Sequence, residues 1–170
     1  MTWSVAAIDA LPAGPAAELL AACCGSSRWV QAMVERRPFG RREALLSAAG
    51  EIWRSLDPAD WQEAFAHHLR IGERSGARPQ GPQVEAWSAS EQRGMDSAAD
   101  ETRRALAEAN REYQARFGYL YVVCATGRTA EEMLALARGR LANDPGTELA
   151  VAAGEQEEIT RLRLEKLLEP

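Results

Sequence analysis

Apolar residues along this chain recur at three- and four-residue intervals, a spacing that predicts amphipathic helices. Asp9 is placed to cap a short first helix, and Pro15 suits the first turn of the next, which runs to about Cys24 before Gly25-Ser26-Ser27 breaks it. Ser27 then caps a helix that sets Trp29, Val30, Met33 and Val34 on one face and stops before Pro38. A further helix, about Arg42 to Leu56, buries Leu45, Leu46, Ala49, Ile52 and Trp53. Asp57-Pro58 opens another as cap and first-turn proline; it runs to about Leu69 with Trp61, Phe65 and His68 near one stripe.

From Gly72 to Pro82 the chain is rich in Gly, Pro, Arg and Ser, which reads as an irregular connection and the most mobile stretch. Ser88 with Glu91 three residues on forms the pattern of a capping box, and the helix that follows gathers strength from Ser97 to Phe117. Tyr119 to Cys124 is the one strand-like run, either a short buried strand or a buried helix start. Thr129 and Glu132 make a second capping box, ahead of a helix through Met133, Leu134, Leu136 and Ala137 to Leu141. After a turn at Asn143-Asp144-Pro145-Gly146, a last helix from about Thr147 to Leu168 turns Leu149, Ala152, Ala153, Ile159, Leu162 and Leu167 inward. No internal repeat or low-complexity tail interrupts the series.

Composition agrees with that pattern. Ala, Leu, Glu and Arg abound, and these lose little rotamer freedom in a helix. At 170 residues and 46% hydrophobic content the chain suits one domain, or two closely packed halves, with a real core. A net charge of -5 disfavours a sequence-independent grip on nucleic acid or anionic lipid, while a local arginine can still hold a small anion. Cys23 and Cys24 are adjacent and Cys124 is remote, so neither a disulfide framework nor a Cys-x-x-Cys site is indicated, and a reducing cytoplasm is the expected compartment. The stretch from Leu11 to Cys24 lacks a basic leader and holds Pro12, Pro15 and Glu18, which makes a poor signal peptide. No run reaches membrane-spanning length, and Lys166-Leu167-Leu168-Glu169-Pro170 is not a peroxisomal address.

The two histidines are neighbours, which a helix would point roughly 100° apart, so a His-based zinc site is not expected. His68, at a helix end before the glycine-rich stretch, is a candidate for proton exchange near neutral pH, against the commoner reading of a surface or packing residue. Glu91 is a second candidate, against a plain capping role, and the two roles are compatible. Arg163 on the last helix is either a solvated charge or a clamp for a carboxylate. Trp29, Trp53, Trp61, Trp87 and Phe117 read as core. Gly118 and Gly127 lack the spacing of a nucleotide-binding loop, and no Gly-x-Ser-x-Gly elbow is present.

Several separated segments, in order, resemble the 2-oxo-4-hydroxy-4-carboxy-5-ureidoimidazoline (OHCU) decarboxylase family. The first is Cys24-Gly25-Ser26-Ser27-Arg28-Trp29-Val30, followed by Met33 and Arg37-Pro38-Phe39. Next, Phe65-Ala66-His67-His68-Leu69-Arg70-Ile71-Gly72 is similar to the family's His-Pro-x-Ile-Gly element, with Leu69 standing where the family has proline. Trp87-Ser88-Ala89-Ser90-Glu91-Gln92 is similar to its Ser-x-x-Glu-Gln element. Phe117 to Tyr121 through Gly127-Arg128, then Arg140 to Asn143, then Ile159 to Leu164 complete the resemblance, which spans about Leu20 to Leu168.

The resemblance implies an all-α fold, a single-domain multi-helix bundle, with no metal or organic cofactor, and a cytoplasmic homodimer acting on a small ureidoimidazoline. It implies catalytic roles for His68 and Glu91. Substrate binding would fall to Leu69, Ser88, Gln92, the segment Val122, Val123, Cys124 and Ala125, and Arg163. No nucleic-acid or membrane partner is expected. Two other readings stay open: a related ureide- or imidazoline-processing enzyme on the same scaffold, or a non-catalytic helical interaction module.

Overall fold

The helical pattern becomes helix throughout most of the chain in the structure, a computed structural model that describes residues 2–72 and 81–168. The helices are α1 (Val5–Ala10), α2 (Ala13–Ala21), α3 (Ser27–Arg36), α4 (Arg42–Ser55), α5 (Pro58–Ala66), α6 (Pro82–Glu91), α7 (Asp100–Phe117), α8 (Ala130–Arg140) and α9 (Pro145–Leu168), with a 3-10 turn at Arg93–Met95. No β-strand occurs among the described residues, so the fold is all-α. The chain divides into two compact units, Met1–Ala64 with Glu157–Pro170 and Phe65–Gln156, and α9 contributes to both. The expected irregular connection falls mostly on residues 73–80, outside the described residues.

In the first unit, the N-termini of two helices are set by serines other than the expected caps. Ser4 caps α1, its Oγ accepting from Ala7 N at 3.1 Å. Asp9 lies inside α1 and instead accepts from the backbone N–H groups of Phe39 and Gly40, at 2.9 and 2.8 Å. Ser26 caps α3 through Trp29 N, whereas Ser27 gives its N–H and hydroxyl to Glu63, each at 3.0 Å. Arg37 closes the end of α1 by donating to the Ile8 and Leu11 carbonyls at 2.9 and 2.7 Å, meeting acceptors that a helix end leaves unused. Trp29 is buried yet loses no hydrogen bond, because its indole N–H reaches Ala49 O at 3.0 Å.

Three boundaries in the second unit depart from the pattern. Helix α5 ends at Ala66 rather than about Leu69, since the His68 N–H closes back on Phe65 O at 3.1 Å, a tighter turn than α-helix allows. Ser88 and Glu91 do not form a capping box: Pro82 starts α6, and both residues lie near its C-terminal end. Tyr119 to Ala125 is neither strand nor helix. Its backbone is satisfied by side chains, with Cys124 N donating to Glu155 at 2.7 Å and Val122 O accepting from Arg140 at 2.8 Å.

The Thr129 capping box forms as expected, with Thr129 N to Glu132 at 2.8 Å and Glu132 N to Thr129 Oγ1 at 3.2 Å. Ile71, Met95, Leu106, Tyr113, Tyr121, Val123 and Met133 fill the core of this unit. Of the five aromatics expected in the core, Trp29 and Trp53 are buried and Trp61, Trp87 and Phe117 are half-buried. No described helix is long and apolar enough to cross a membrane.

Candidate active site

His68 sits just past α5, on a bend whose backbone is held at several points. Asn110 Nδ2 donates to Ile71 O at 3.2 Å, and Gly72 N donates to Gln92 Oε1 at 2.9 Å. The imidazole is half-buried, and its Nε2 stands 2.5 Å from Oε1 of Gln156 on α9, a side chain only 1% exposed. His67, one residue earlier, is exposed, so the two histidines have different environments although neither is helical. Leu69 is half-buried beside them.

The bond from Gly72 to Gln92 also places the C-terminal end of α6 next to this segment. Ser88 is buried there and Glu91, three residues on and so on the same side of the helix, is half-buried. Gln92, expected to bind substrate, spends its carbonyl on the Gly72 backbone. A methyl group at Gly94 would overlap the carbonyl oxygen of Arg128, so glycine alone lets the 3-10 turn approach the loop after Ala125 this closely.

The buried run Val122, Val123, Cys124 and Ala125 is tied to α9 one residue from the anchor of His68. Glu155 takes the Cys124 N–H and also pairs with Arg128 at 3.6 Å, so this amide is already engaged by the protein. Within Phe65–Gln156, then, His68, the α6 end and the 122–125 run are mutually linked through Gln92, Glu155 and Gln156.

Arg163 belongs to the other unit, and it is buried rather than solvated, at 6% exposure. Its charge reaches Cys24: burial pushes the Cys24 thiol up to about 11, and the Ser26 backbone, the Thr160 side chain and the Arg163 charge oppose that rise. The opening segment Cys24 to Trp29 therefore has a physical basis, supplying the α3 cap and part of the surroundings of a buried guanidinium.

The family model for OHCU decarboxylase matches residues 9–165. This chain belongs to the OHCU decarboxylase family. The chain is 36% identical over 150 residues to the uric acid degradation bifunctional protein TTL of Arabidopsis thaliana, covering 85% of this chain but 45% of that protein, so it spans under half the length of that relative. It is 30% identical over 139 residues to the 2-oxo-4-hydroxy-4-carboxy-5-ureidoimidazoline decarboxylase of Amia calva, covering 78% of this chain and 75% of that one. A crystal structure of an OHCU decarboxylase in the presence of (S)-allantoin shares the fold with a TM-score of 0.77 and 32% identity, over 89% of this chain and 97% of that chain.

Sequence reasoning assigned no role to Arg140 and Glu148, which support the 122–125 run. Arg140 and Glu148 are buried together, with Arg140 Nη2 2.6 Å from Glu148 Oε1. Glu148 also accepts from Asn143 Nδ2 at 2.8 Å and from the Tyr113 hydroxyl. The Arg140 guanidinium lies 4.9 Å from the Tyr121 ring centre and 5.6 Å from that of Tyr113. A signal for them exists: Arg140 follows Met133 by seven residues, and Glu148, Ala152 and Gln156 recur every four, so polar residues occupy apolar register.

Proposed function

We propose that this chain converts 2-oxo-4-hydroxy-4-carboxy-5-ureidoimidazoline to (S)-allantoin and carbon dioxide, with His68 as the group that moves protons. The observation that carries this reading is a half-buried imidazole pinned by a buried side chain, in a chain whose family match runs from residue 9 to 165.

The family's substrate bears a carboxylate and a hydroxyl on one ring carbon, beside a carbon doubly bonded to nitrogen. When the bond to the carboxylate breaks, its electron pair forms a carbon–carbon double bond to the neighbouring carbon, the π pair of the carbon–nitrogen double bond goes to the nitrogen, which takes a proton, and carbon dioxide departs. The enol left behind gives up its hydroxyl proton as the neighbouring carbon gains one, so the overall step consumes one proton. The substrate is thus its own electron sink, and the protein's work is to orient it and deliver protons. In this reading His68 and Glu91 exchange those protons, and delivery to one face makes a single enantiomer.

Arg163 would hold the ureido or ring carbonyl oxygens, a task suited to a buried guanidinium with its planar fork of donors. Leu69, Ser88, Gln92 and the 122–125 segment would line the ring. Leu69, in the position of the family's proline, also supports a second reading, a related ureide or imidazoline as the preferred substrate. In solution we place the enzyme in the cytoplasm as a homodimer, without nucleic-acid or membrane partners, a state that sedimentation and cell fractionation would test.

The test generates the unstable substrate from urate in situ and follows its decay and the appearance of optical activity. Wild-type protein should accelerate both, while folded His68→Ala and Glu91→Ala proteins should not. Full stereospecific turnover by folded His68→Ala would end this mechanism, and preferential turnover of another imidazoline would favour the second reading.

A further inference from the structure

We infer that Gln156 is a positioning residue that fixes the tautomer of His68, holding the ring hydrogen on Nε2. The inference rests on the role given to His68 above. Gln156 Oε1 stands 2.5 Å from Nε2, and an amide oxygen only accepts, so with the amide turned this way the hydrogen lies on that nitrogen. In a neutral imidazole the lone pair then resides on Nδ1.

Both partners are mounted firmly enough for this bond to act as a constraint. Gln156 is 1% exposed on the longest helix of the fold, and its neighbour Glu155 anchors the Cys124 N–H at 2.7 Å. On the other side, the His68 N–H bonds to Phe65 O at 3.1 Å, and the Asn110 and Gln92 side chains hold the backbone of Ile71 and Gly72. A ring fixed at its backbone and at Nε2 has little freedom to swap its two nitrogens.

The chemistry needs such a device, because a ring presenting N–H where a lone pair is required cannot accept a proton there. A glutamine also orients the ring without adding a charge beside it, unlike a carboxylate in the same place. Where a second side chain orients a metal-bound histidine, its loss typically costs about ten- to a hundredfold, and the same scale is expected for orienting His68.

The experiment is a long-range proton–nitrogen correlation spectrum of the histidine side chains in the whole protein, with His67→Gln used to assign the two rings. Wild type should show His68 in the Nε2–H form. Gln156→Met, similar in volume but with no amide acceptor, should relax the ratio toward the solution mixture of tautomers and lower kcat about ten- to a hundredfold with KM little changed. Gln156→Glu keeps the acceptor and should retain the Nε2–H form.

A wild-type His68 found mainly as Nδ1–H, or a tautomer ratio unchanged in folded Gln156→Met, would overturn the inference. A purely structural role would lower the melting temperature and leave the tautomer as it was. Because the spectrum needs no turnover, an inactive wild-type protein would refute the proposed reaction while leaving the tautomer assignment to be decided by the spectrum.

Discussion

Eight residues apart on α9, Glu148 and Gln156 each hold a polar partner, and the two clusters differ in what that partner retains. Glu148 is wholly buried, and its two carboxylate oxygens are met by Arg140, Tyr113 and Asn143, while Arg140 also bonds to Val122 O. Gln156 is as deeply buried, yet its partner His68 is half-buried and the bond between them carries no formal charge on the glutamine. Burial alone therefore does not mark a site. A charged cluster closed on all sides has its geometry and its protons locked, which suits a strut, whereas chemistry needs one member that stays accessible.

The largest effect should come from opening the closed cluster. Arg140→Met strands the Glu148 carboxylate in the core and should lower unfolding free energy by about 3–5 kcal/mol in urea titrations. Adding Glu148→Leu should recover much of that loss, because the cost lies in the unpaired charge. A loss under about 1 kcal/mol for Arg140→Met would show the cluster to be less closed than it looks.

The accessible cluster should behave in the opposite way. Folded His68→Ala should lose about a hundredfold or more of the proposed activity while its unfolding free energy falls by no more than about 1–3 kcal/mol, the cost of taking a partner from the neutral Gln156 amide. Equal damage to stability and activity would erase the distinction between the two clusters.

A third effect depends on pH. Burial pushes the Tyr121 phenol up to about 12 from an ordinary 10.0, and burial together with its bond to Glu148 raises Tyr113 as well. Between those values the folded state keeps protons that the unfolded chain releases. Stability is therefore fully present below pH 10.0 and declines as pH rises toward 12, by about 2 kcal/mol or more. Ultraviolet titration of tyrosinate alongside chemical denaturation would check it; tyrosines that all ionise near their ordinary value would contradict the closed cluster. The smallest effect concerns neither cluster: Thr129→Ala removes one capping bond from α8 and should cost about 1 kcal/mol in thermal melts.

What could be read before folding was considered depended on whether a signal was local. The Thr129 and Glu132 pair lies within one turn, so the side chains that form the bonds are neighbours in sequence, and the expected box forms. Ser88 and Glu91 carry the same spacing but fall near the end of α6, because Pro82 begins that helix earlier. Asp9 resembles a cap in sequence, yet the chain returning at Phe39 and Gly40 offers it better-placed donors. Tyr119 to Ala125 has strand-like residues and no partner strand among the described residues, and side chains from α8 and α9 bond to its backbone instead.

The order of motifs and the helical period were enough, by themselves, to point to an all-α member of the OHCU decarboxylase family, and they made His68 a candidate. The fold decided the partners: Gln156 for the imidazole, Glu155 for the Cys124 amide, Arg140 with Glu148 as the buried strut. Each of these contacts joins residues on different elements, most of them far apart in sequence, and short-range propensity does not encode which distant side chains meet. A buried polar atom costs free energy until it finds a partner, and only the packed chain determines which partner is within reach.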